Sequence, residues 1–226
     1  MTELSEDATY DAYLLRYPDG TWMAQLTDLP GAYATGSSQE EALARLAAAI
    51  PAYYAWLSQH DEYTPITHEA PRVVARESAQ VGEGPAQGLG AFFSGDAQPV
   101  TDEDLDWWLA ALDWAYGDLL GQARRLPASA QRDAMLDAIA QAQTRLVSLA
   151  TGARAGAQTG AAPGADPLAR LEMARAASFA AFRGSSAEMR ASVREEAGQR
   201  WSVRRGLRES ALLARRATDG LATAQG

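Results

Sequence analysis

The side chains best suited to chemistry in this sequence are arginines near its C-terminal end, since the chain contains no cysteine and only two histidines. Trp201 is followed by Arg204, Arg205 and Arg208 in a segment predicted to be helical. Guanidinium groups beside an indole can bind an anion through paired hydrogen bonds and stacking. The alternative is a solvated helix face that pairs with Glu209 or with the acidic part of the chain. We therefore take these four residues as the candidate ligand-binding residues.

The sequence supports metal binding less well than anion binding by the arginines. His60 and His68 lie eight residues apart beside acidic residues, and two such ligands are fewer than the three or four that a protein zinc site uses. An acidic group also opens a predicted helix and comprises Asp102, Glu103, Asp104 and Asp106. Interaction with the helix dipole explains that group without a cation. We find no Gly-rich phosphate loop after a strand and no Ser, His and Asp arrangement, so we expect no cofactor and favour a protein that is not an enzyme.

The charge is unevenly distributed along the 226 residues. The net charge is −9, but residues 1–118 carry 20 acidic residues and 4 arginines, whereas residues 166–226 carry 7 acidic residues and 11 arginines. The acidic part would repel nucleic acid, so no nucleic-acid partner is expected. The acidic N-terminus is unlike a secretory signal, and no apolar run reaches spanning length. These features predict a cytoplasmic protein with no membrane contact.

Residues 1–81 show the pattern of a small α+β domain. Two apolar runs flank Pro18, Asp19 and Gly20, which is typical of a β-hairpin, and a short third strand is predicted over residues 32–35. Ser37 or Ser38 then caps a helix with Pro51 as a kink or break, and residues 71–81 return as a strand.

This segment resembles the N-terminal domain of HicB-family antitoxins. The residues that match the family pattern are Asp28, Leu29, Pro30, Gly31, Gly36, Ser37, Glu41 and Ala42. The resemblance covers about a third of the chain and implies a β-β-β-α-β domain like a reduced ribonuclease H fold that is used for binding. It also implies a DNA-binding segment, but this chain continues into a helical region instead.

Residues 82–100 have the Gly- and Pro-rich composition of a linker, and residues 101–226 predict four helices. The first helix begins at the cap Thr101 and ends at Leu126, and its apolar residues, including two adjacent tryptophans, recur at helical spacing. Further helices are predicted over 131–149, 167–182 and 199–221, with a short helical turn within 185–197. Small residues over 151–166 predict a flexible crossover loop. The predicted fold class is α+β, a small domain followed by a four-helix bundle.

The helical region resembles the DinB/YfiT-like superfamily of four-helix bundles. The residues that match its last helix are Trp201, Ser202, Val203, Arg204, Leu207 and Arg208. The resemblance implies a divalent metal held by three histidines, and it places Ala138, Leu213 and Ala217 at those positions. None of these side chains can bind a metal, so we expect the family's metal site and its thiol-transferase chemistry to be absent.

Three functional hypotheses follow. The leading one is a non-catalytic binding or assembly protein, associated with stress responses, that forms a homo-oligomer, most simply a dimer, and captures a small anionic ligand or a protein partner. The second is a transferase or hydrolase that acts on a thiol or anion through the bundle arginines. The third is an antitoxin-like regulator that binds a protein toxin. A deep arginine-lined pocket would favour the second, a flat acidic sheet edge the third, and exposed aromatic area on the helix that begins at Thr101 would favour oligomerisation.

Overall fold

The computed structural model describes residues 9–60, 71–81, 90–152, 166–196 and 198–223. The chain divides into two compact units, Met1–Phe93 and Ser94–Gly226. The predicted linker over 82–100 therefore contributes to both: residues 82–89 lie outside the described part, Phe93 belongs to the first unit, and Ser94–Ala97 forms a 3-10 turn of the second. No helix in the described ranges is long and apolar enough to span a bilayer.

The first unit is a four-stranded sheet with one long helix, in the predicted order β-β-β-α-β. Its elements are β1 (Thr9–Arg16), β2 (Trp22–Leu26), β3 (Tyr33–Gly36), α1 (Gln39–Ser58) and β4 (Arg72–Gln80). The strand order is β3-β2-β1-β4, with β4 parallel to β1 and the other pairs antiparallel. Because α1 connects β3 to a strand on the far side of β1, the parallel pair has the long connection that it needs.

Local chemistry explains where these elements begin and end. Gly20 has φ +87°, and the Asp19 carboxylate accepts the Thr21 N–H at 2.9 Å, which closes the predicted hairpin turn. Ser38 caps α1 by accepting the Glu41 N–H. A Cβ on Gly36 would lie 2.6 Å from the Ala42 nitrogen, so only glycine permits this close approach of β3 to α1. Of the kink or break predicted at Pro51, the break does not occur, because α1 continues through that residue.

The second unit contains four long helices, and the structure confirms the helical region that the sequence predicts. They are α2 (Asp102–Arg125), α3 (Ala130–Thr151), α4 (Pro167–Arg183) and α6 (Val203–Thr223), with the short α5 (Ala187–Ala191) before the last. Thr101 and Asp104 form a reciprocal capping box at the start of α2, as its acidic first turn suggests. Ser129 caps α3, and left-handed Gly152 ends it.

The predicted start of the last helix is wrong by four residues. Gln199–Trp201 forms strand β6, which pairs with β5 (Arg194–Glu196) in a small antiparallel ladder, and α6 begins only at Val203. Ser202 lies between β6 and α6. Its hydroxyl accepts the Arg205 N–H at 3.1 Å and donates to the Asp96 carbonyl at 2.6 Å. The apolar spacing after Trp201 is helical, but it does not show where the first turn begins.

Helices α3 and α4 run in the same direction. Near their first turns Asp137 pairs with Arg170, and near their last turns Ala150 and Phe182 both lie against Gly206 of α6. Parallel neighbours in a bundle require a long connection, in agreement with the predicted crossover over 151–166, whose residues 153–165 lie outside the described part. Gly206 is small enough to let α6 approach both helices.

A buried tyrosine in the bundle core provides a test of these contacts. Tyr116 on α2 is 0% exposed, and its hydroxyl has no hydrogen-bond partner among the described residues; burial raises its pKa. An unsatisfied buried hydroxyl is unfavourable, so Tyr116→Phe is expected to leave the free energy of unfolding unchanged or to raise it by about 1 kcal/mol. The measurement is urea unfolding followed by circular dichroism and tryptophan fluorescence.

Tyr53→Phe is the matched control in the first unit. Its hydroxyl is buried and donates to the Pro30 carbonyl at 2.8 Å, so its removal is expected to cost about 1 kcal/mol. A loss of stability in Tyr116→Phe as large as that in Tyr53→Phe would contradict the contacts described for Tyr116.

Candidate functional site

The arginines predicted as a ligand site lie together at the start of α6, and two of them are buried. Arg205 is 1% exposed and Arg208 3% exposed, next to the buried carboxylates of Asp96 and Glu209. The two arginines and two carboxylates make a cluster of zero net charge, which we call the buried ion cluster. It lies in a part of α6 where almost every residue from Val203 to Leu212 is buried.

At the centre of the buried ion cluster, Arg208 and Asp96 form an ion pair with two hydrogen bonds. Arg208 Nε donates to Asp96 Oδ1 at 2.9 Å and Nη2 donates to Oδ2 at 2.8 Å, with both side chains almost fully buried. Arg208 Nη1 lies 3.0 Å from Glu209 Oε1 on the same helix. A guanidinium that meets a carboxylate along two bonds is held in a fixed orientation. Arg208 therefore already has the kind of partner that an anionic ligand would supply.

Arg205 is held by the ladder of β5 and β6. Its guanidinium carbon lies 3.8 Å from the centre of the Trp201 ring, and its nitrogens donate to the Arg200 carbonyl at 2.5 Å and to Gln199 Oε1 at 3.0 Å. Burial lowers the pKa of Arg205 to about 10, an effect that nearby Arg208 increases and that Glu209 and Asp96 oppose. The Trp201 ring therefore stacks on Arg205 of the same unit.

Arg204 lies on the other side of α6 and is more accessible. Its Nη2 donates to Asp104 Oδ2 at 2.7 Å and to the Pro99 carbonyl at 2.8 Å, so it connects α6 to the start of α2. Burial alone would raise the pKa of Asp104, but hydrogen bonds from Thr101 and the nearby Arg204 outweigh this and hold it below its usual value. The structure thus places Trp201, Arg205 and Arg208 by the buried ion cluster and Arg204 apart from them; each has contacts within the unit, and their binding of a ligand stays a prediction.

Sequence reasoning missed Asp96, which is the acidic partner that defines this cluster. It lies in the segment interpreted as a linker, after Gly95 and among residues with no periodicity, so nothing in its surroundings predicts burial. The only available signal was the pair of phenylalanines just before it. Phe93 stacks on Tyr13 with ring centres 4.1 Å apart inside the first unit, which shows that the segment is not simply exposed chain.

The positions assigned to metal ligands by the DinB-like resemblance lie on two helices. Ala138 is exposed on α3, and Leu213 and Ala217 are partly exposed on α6. The described residues contain no group of three His, Cys, Asp or Glu side chains that could hold a metal ion. His60 lies just after α1 with its ring edge-on to Trp56, and His68 lies outside the described residues.

Comparisons of the chain with protein-family models, with curated proteins and with solved structures find no match.

A double-mutant cycle tests whether Asp96 and Arg208 act as one buried pair. Asp96→Asn leaves a buried guanidinium without its carboxylate and is expected to cost about 3 to 5 kcal/mol of stability, as is Arg208→Met. The double variant keeps Arg205 and Glu209 as a neutral pair, so it should lose much less than the sum of the two single changes. Additive losses, measured by urea unfolding, would show that the two side chains do not depend on each other.

A melting scan with divalent metals tests the expected loss of the metal site. For protein purified without a histidine tag, we expect zinc, nickel or manganese to leave the melting temperature unchanged. A site filled at 100 times its Kd would add about 2.7 kcal/mol, which such a scan detects readily. A reproducible rise with one metal would contradict the assignment of Ala138, Leu213 and Ala217 as positions that have lost their ligands.

Proposed function

We propose that this chain is a non-catalytic binding and assembly protein that self-associates through the outer face of α2. We define this outer face as the stripe formed by Trp107, Ala110, Trp114, Gly117 and Gly121. Its residues alternate at spacings of three and four, which places them on one side of the helix, opposite the buried residues that pack on α4 and α6. The observation that carries the proposal is the presence of two large aromatic side chains on this side.

Trp107 and Trp114 lie edge to face with ring centres 6.1 Å apart, and both are only partly buried. An indole left partly in water forgoes part of the roughly 1.5 to 3 kcal/mol that a large apolar side chain gains on burial. Tryptophan is also enriched at the centres of protein interfaces. The accessible part of these rings is area that a partner would bury.

The shape of the stripe fits a second copy of the same helix. Beside Gly117 and Gly121 there is open space, since no atom described outside their own helix and neighbours lies within 4 Å of a Cβ position. If two copies of α2 pack antiparallel with Trp114 at the centre, Trp107 of each copy lies against Gly121 of the other. A large side chain then fills the space left by a small one at both ends of the contact.

The charges on α2 support the same orientation. Its first turn carries three acidic residues and its last turn carries Arg124 and Arg125. In the antiparallel pair, the exposed Glu103 of one copy lies opposite the exposed Arg125 of the other. A parallel pair would instead place like charges together at each end. Opposite helix dipoles favour the antiparallel arrangement as well.

The two other hypotheses gain less from the geometry. The transferase or hydrolase hypothesis requires bundle arginines that meet a substrate, whereas Arg204, Arg205 and Arg208 contact carboxylates, carbonyls and an indole of their own unit. The antitoxin hypothesis is favoured by a flat acidic sheet edge, but β4, one of the two edge strands, carries Arg72, Arg76 and Glu77 and has a register shift beside Arg76. Charges and bulges of this kind protect an edge from strand addition.

Gly121→Glu tests the contact without harming the fold. Glutamate favours an exposed helix over glycine by about 0.5 to 1 kcal/mol, so the single copy should be slightly more stable. In the dimer the added carboxylate would occupy the space for Trp107, and the dimer Kd is expected to rise at least 100-fold, equivalent to about 2.7 kcal/mol. Sedimentation velocity over a range of concentrations measures this Kd.

Gly220→Glu is the matched control, because Gly220 is also a helical glycine with open space beside it, but on α6. It should leave the dimer Kd unchanged. Glu103→Arg and Arg125→Glu should each weaken association, and the variant that carries both should recover it. A wild-type chain that stays monomeric at high concentration, or a Gly121→Glu chain that associates normally, would contradict the proposal.

A further inference from the structure

Two tyrosines of the first unit, Tyr10 at the start of β1 and Tyr54 on α1, are in direct contact through their hydroxyl groups. The two phenolic oxygens lie 2.6 Å apart, so one hydroxyl donates to the other. The ring centres are 6.5 Å apart, and the ring planes are inclined at 60°. In a tyrosine ring the two Cε atoms are bonded to the carbon that bears the hydroxyl, so this contact also brings Cε atoms of the two rings close together.

Both side chains are only partly buried, although the elements that carry them are far apart in the sequence. Tyr10 and Tyr54 are separated by 44 residues, and their hydrogen bond joins the beginning of β1 to the C-terminal half of α1. Burial and the contact with Tyr10 raise the pKa of Tyr54, so this side chain is a neutral phenol at neutral pH. A small oxidant in solution therefore reaches a pair of phenols that already touch.

The composition of the chain directs oxidation towards such side chains. The sequence contains no cysteine, whose thiolate is the most readily oxidised group in many proteins. A one-electron oxidant therefore meets tyrosine, tryptophan and methionine instead. A phenol that loses one electron and one proton becomes a neutral phenoxyl radical, in which the oxygen and the Cε atoms share the unpaired electron. Two reactants that are held in contact combine far faster than two that must meet by diffusion.

We propose that Tyr10 and Tyr54 are the site of an oxidative cross-link, in which a bond between their Cε atoms joins β1 to α1. Two equivalents of a one-electron oxidant, such as the intermediates that a peroxidase forms from hydrogen peroxide, remove one electron and one proton from each phenol. The two radicals combine through a new Cε–Cε bond. The hydrogen on each of these carbons then moves to the phenolic oxygen, which restores both aromatic rings. The protein loses two hydrogen atoms, and the peroxide is reduced to water.

The cross-link stabilises the first unit against unfolding. It closes a loop of chain that contains β2, β3 and most of α1. A covalent bond that closes a loop of this length restricts the unfolded chain more than the folded one, in which the two side chains are already together. The proposal does not depend on self-association through α2, because both tyrosines lie in the first unit.

The test oxidises the full chain in dilute solution with photoactivated ruthenium(II) tris-bipyridyl and persulfate, and it identifies cross-linked peptides by mass spectrometry. Trypsin cleaves after arginine, so the expected product joins residues 1–16 to residues 46–72 with the loss of two hydrogen atoms. Fragmentation of this product should place the bond at Tyr10 and Tyr54. Tyr10→Phe and Tyr54→Phe should each lower its yield by about tenfold or more, because one phenol of the contacting pair is gone.

Tyr13→Phe and Tyr53→Phe are the matched controls, because each removes a neighbouring tyrosine from one of the same two peptides. They should leave the yield of the product that joins Tyr10 to Tyr54 unchanged. An equal mixture of ¹⁵N-labelled and unlabelled chains should give no product that carries both labels, since the two tyrosines belong to one chain. Oxidation should also raise the urea concentration at which the wild-type chain unfolds, and it should produce no such rise in Tyr54→Phe.

Four results would each overturn the proposal. The first is that oxidation leaves Tyr10 and Tyr54 unjoined. The second is that Tyr13→Phe or Tyr53→Phe lowers the yield as much as Tyr54→Phe does. The third is a product that carries both isotope labels. The fourth is an oxidised wild-type chain that carries the bond but unfolds at the same urea concentration as before.

Discussion

The helical unit depends on one buried ion pair, between Asp96 and Arg208. Neither side chain has meaningful contact with solvent, so each charge must be balanced inside the protein, and the two bonds between them do this. Asp96 lies in a short 3-10 turn before α2, whereas Arg208 lies in the second turn of α6. The pair therefore holds the segment that precedes α2, the first helix of the unit, against α6, the last helix.

This arrangement also decides what the arginines can do. A guanidinium binds an anion strongly through its N–H donors. The guanidinium groups of Arg204 and Arg208 form ion pairs with carboxylates of the same unit. Arg205 adds stacking on Trp201 and keeps the ladder of β5 and β6 at the start of α6. These contacts hold the start of α6 against Asp96, Asp104 and the ladder of β5 and β6, and the binding of a ligand by these arginines stays a prediction.

Much of the fold follows from short-range sequence signals. Thr101, Ser38 and Pro167 start helices where capping chemistry predicts them, and Gly20 closes a turn that needs a positive φ. Of the kink or break expected at Pro51, the break does not occur, since α1 runs from Gln39 to Ser58 with the proline inside it. Strand β6 is missed because Gln199–Trp201 pairs with β5 through contacts that no periodicity shows. The role of Asp96 is missed for a similar reason, since its partner is more than a hundred residues away.

The central claim is that two copies of α2 pack antiparallel about Trp114, and a distance between the copies tests it most directly. The chain has no cysteine, so Asp106→Cys, at an exposed residue outside the stripe, gives one specific site for a spin label. In the antiparallel pair, the two labels are separated by about 16 residues of helix, and pulsed electron paramagnetic resonance should give a distance of about 24 Å. A much shorter distance would indicate a parallel pair, and the absence of any defined distance at concentrations where association is expected would contradict self-association through this helix.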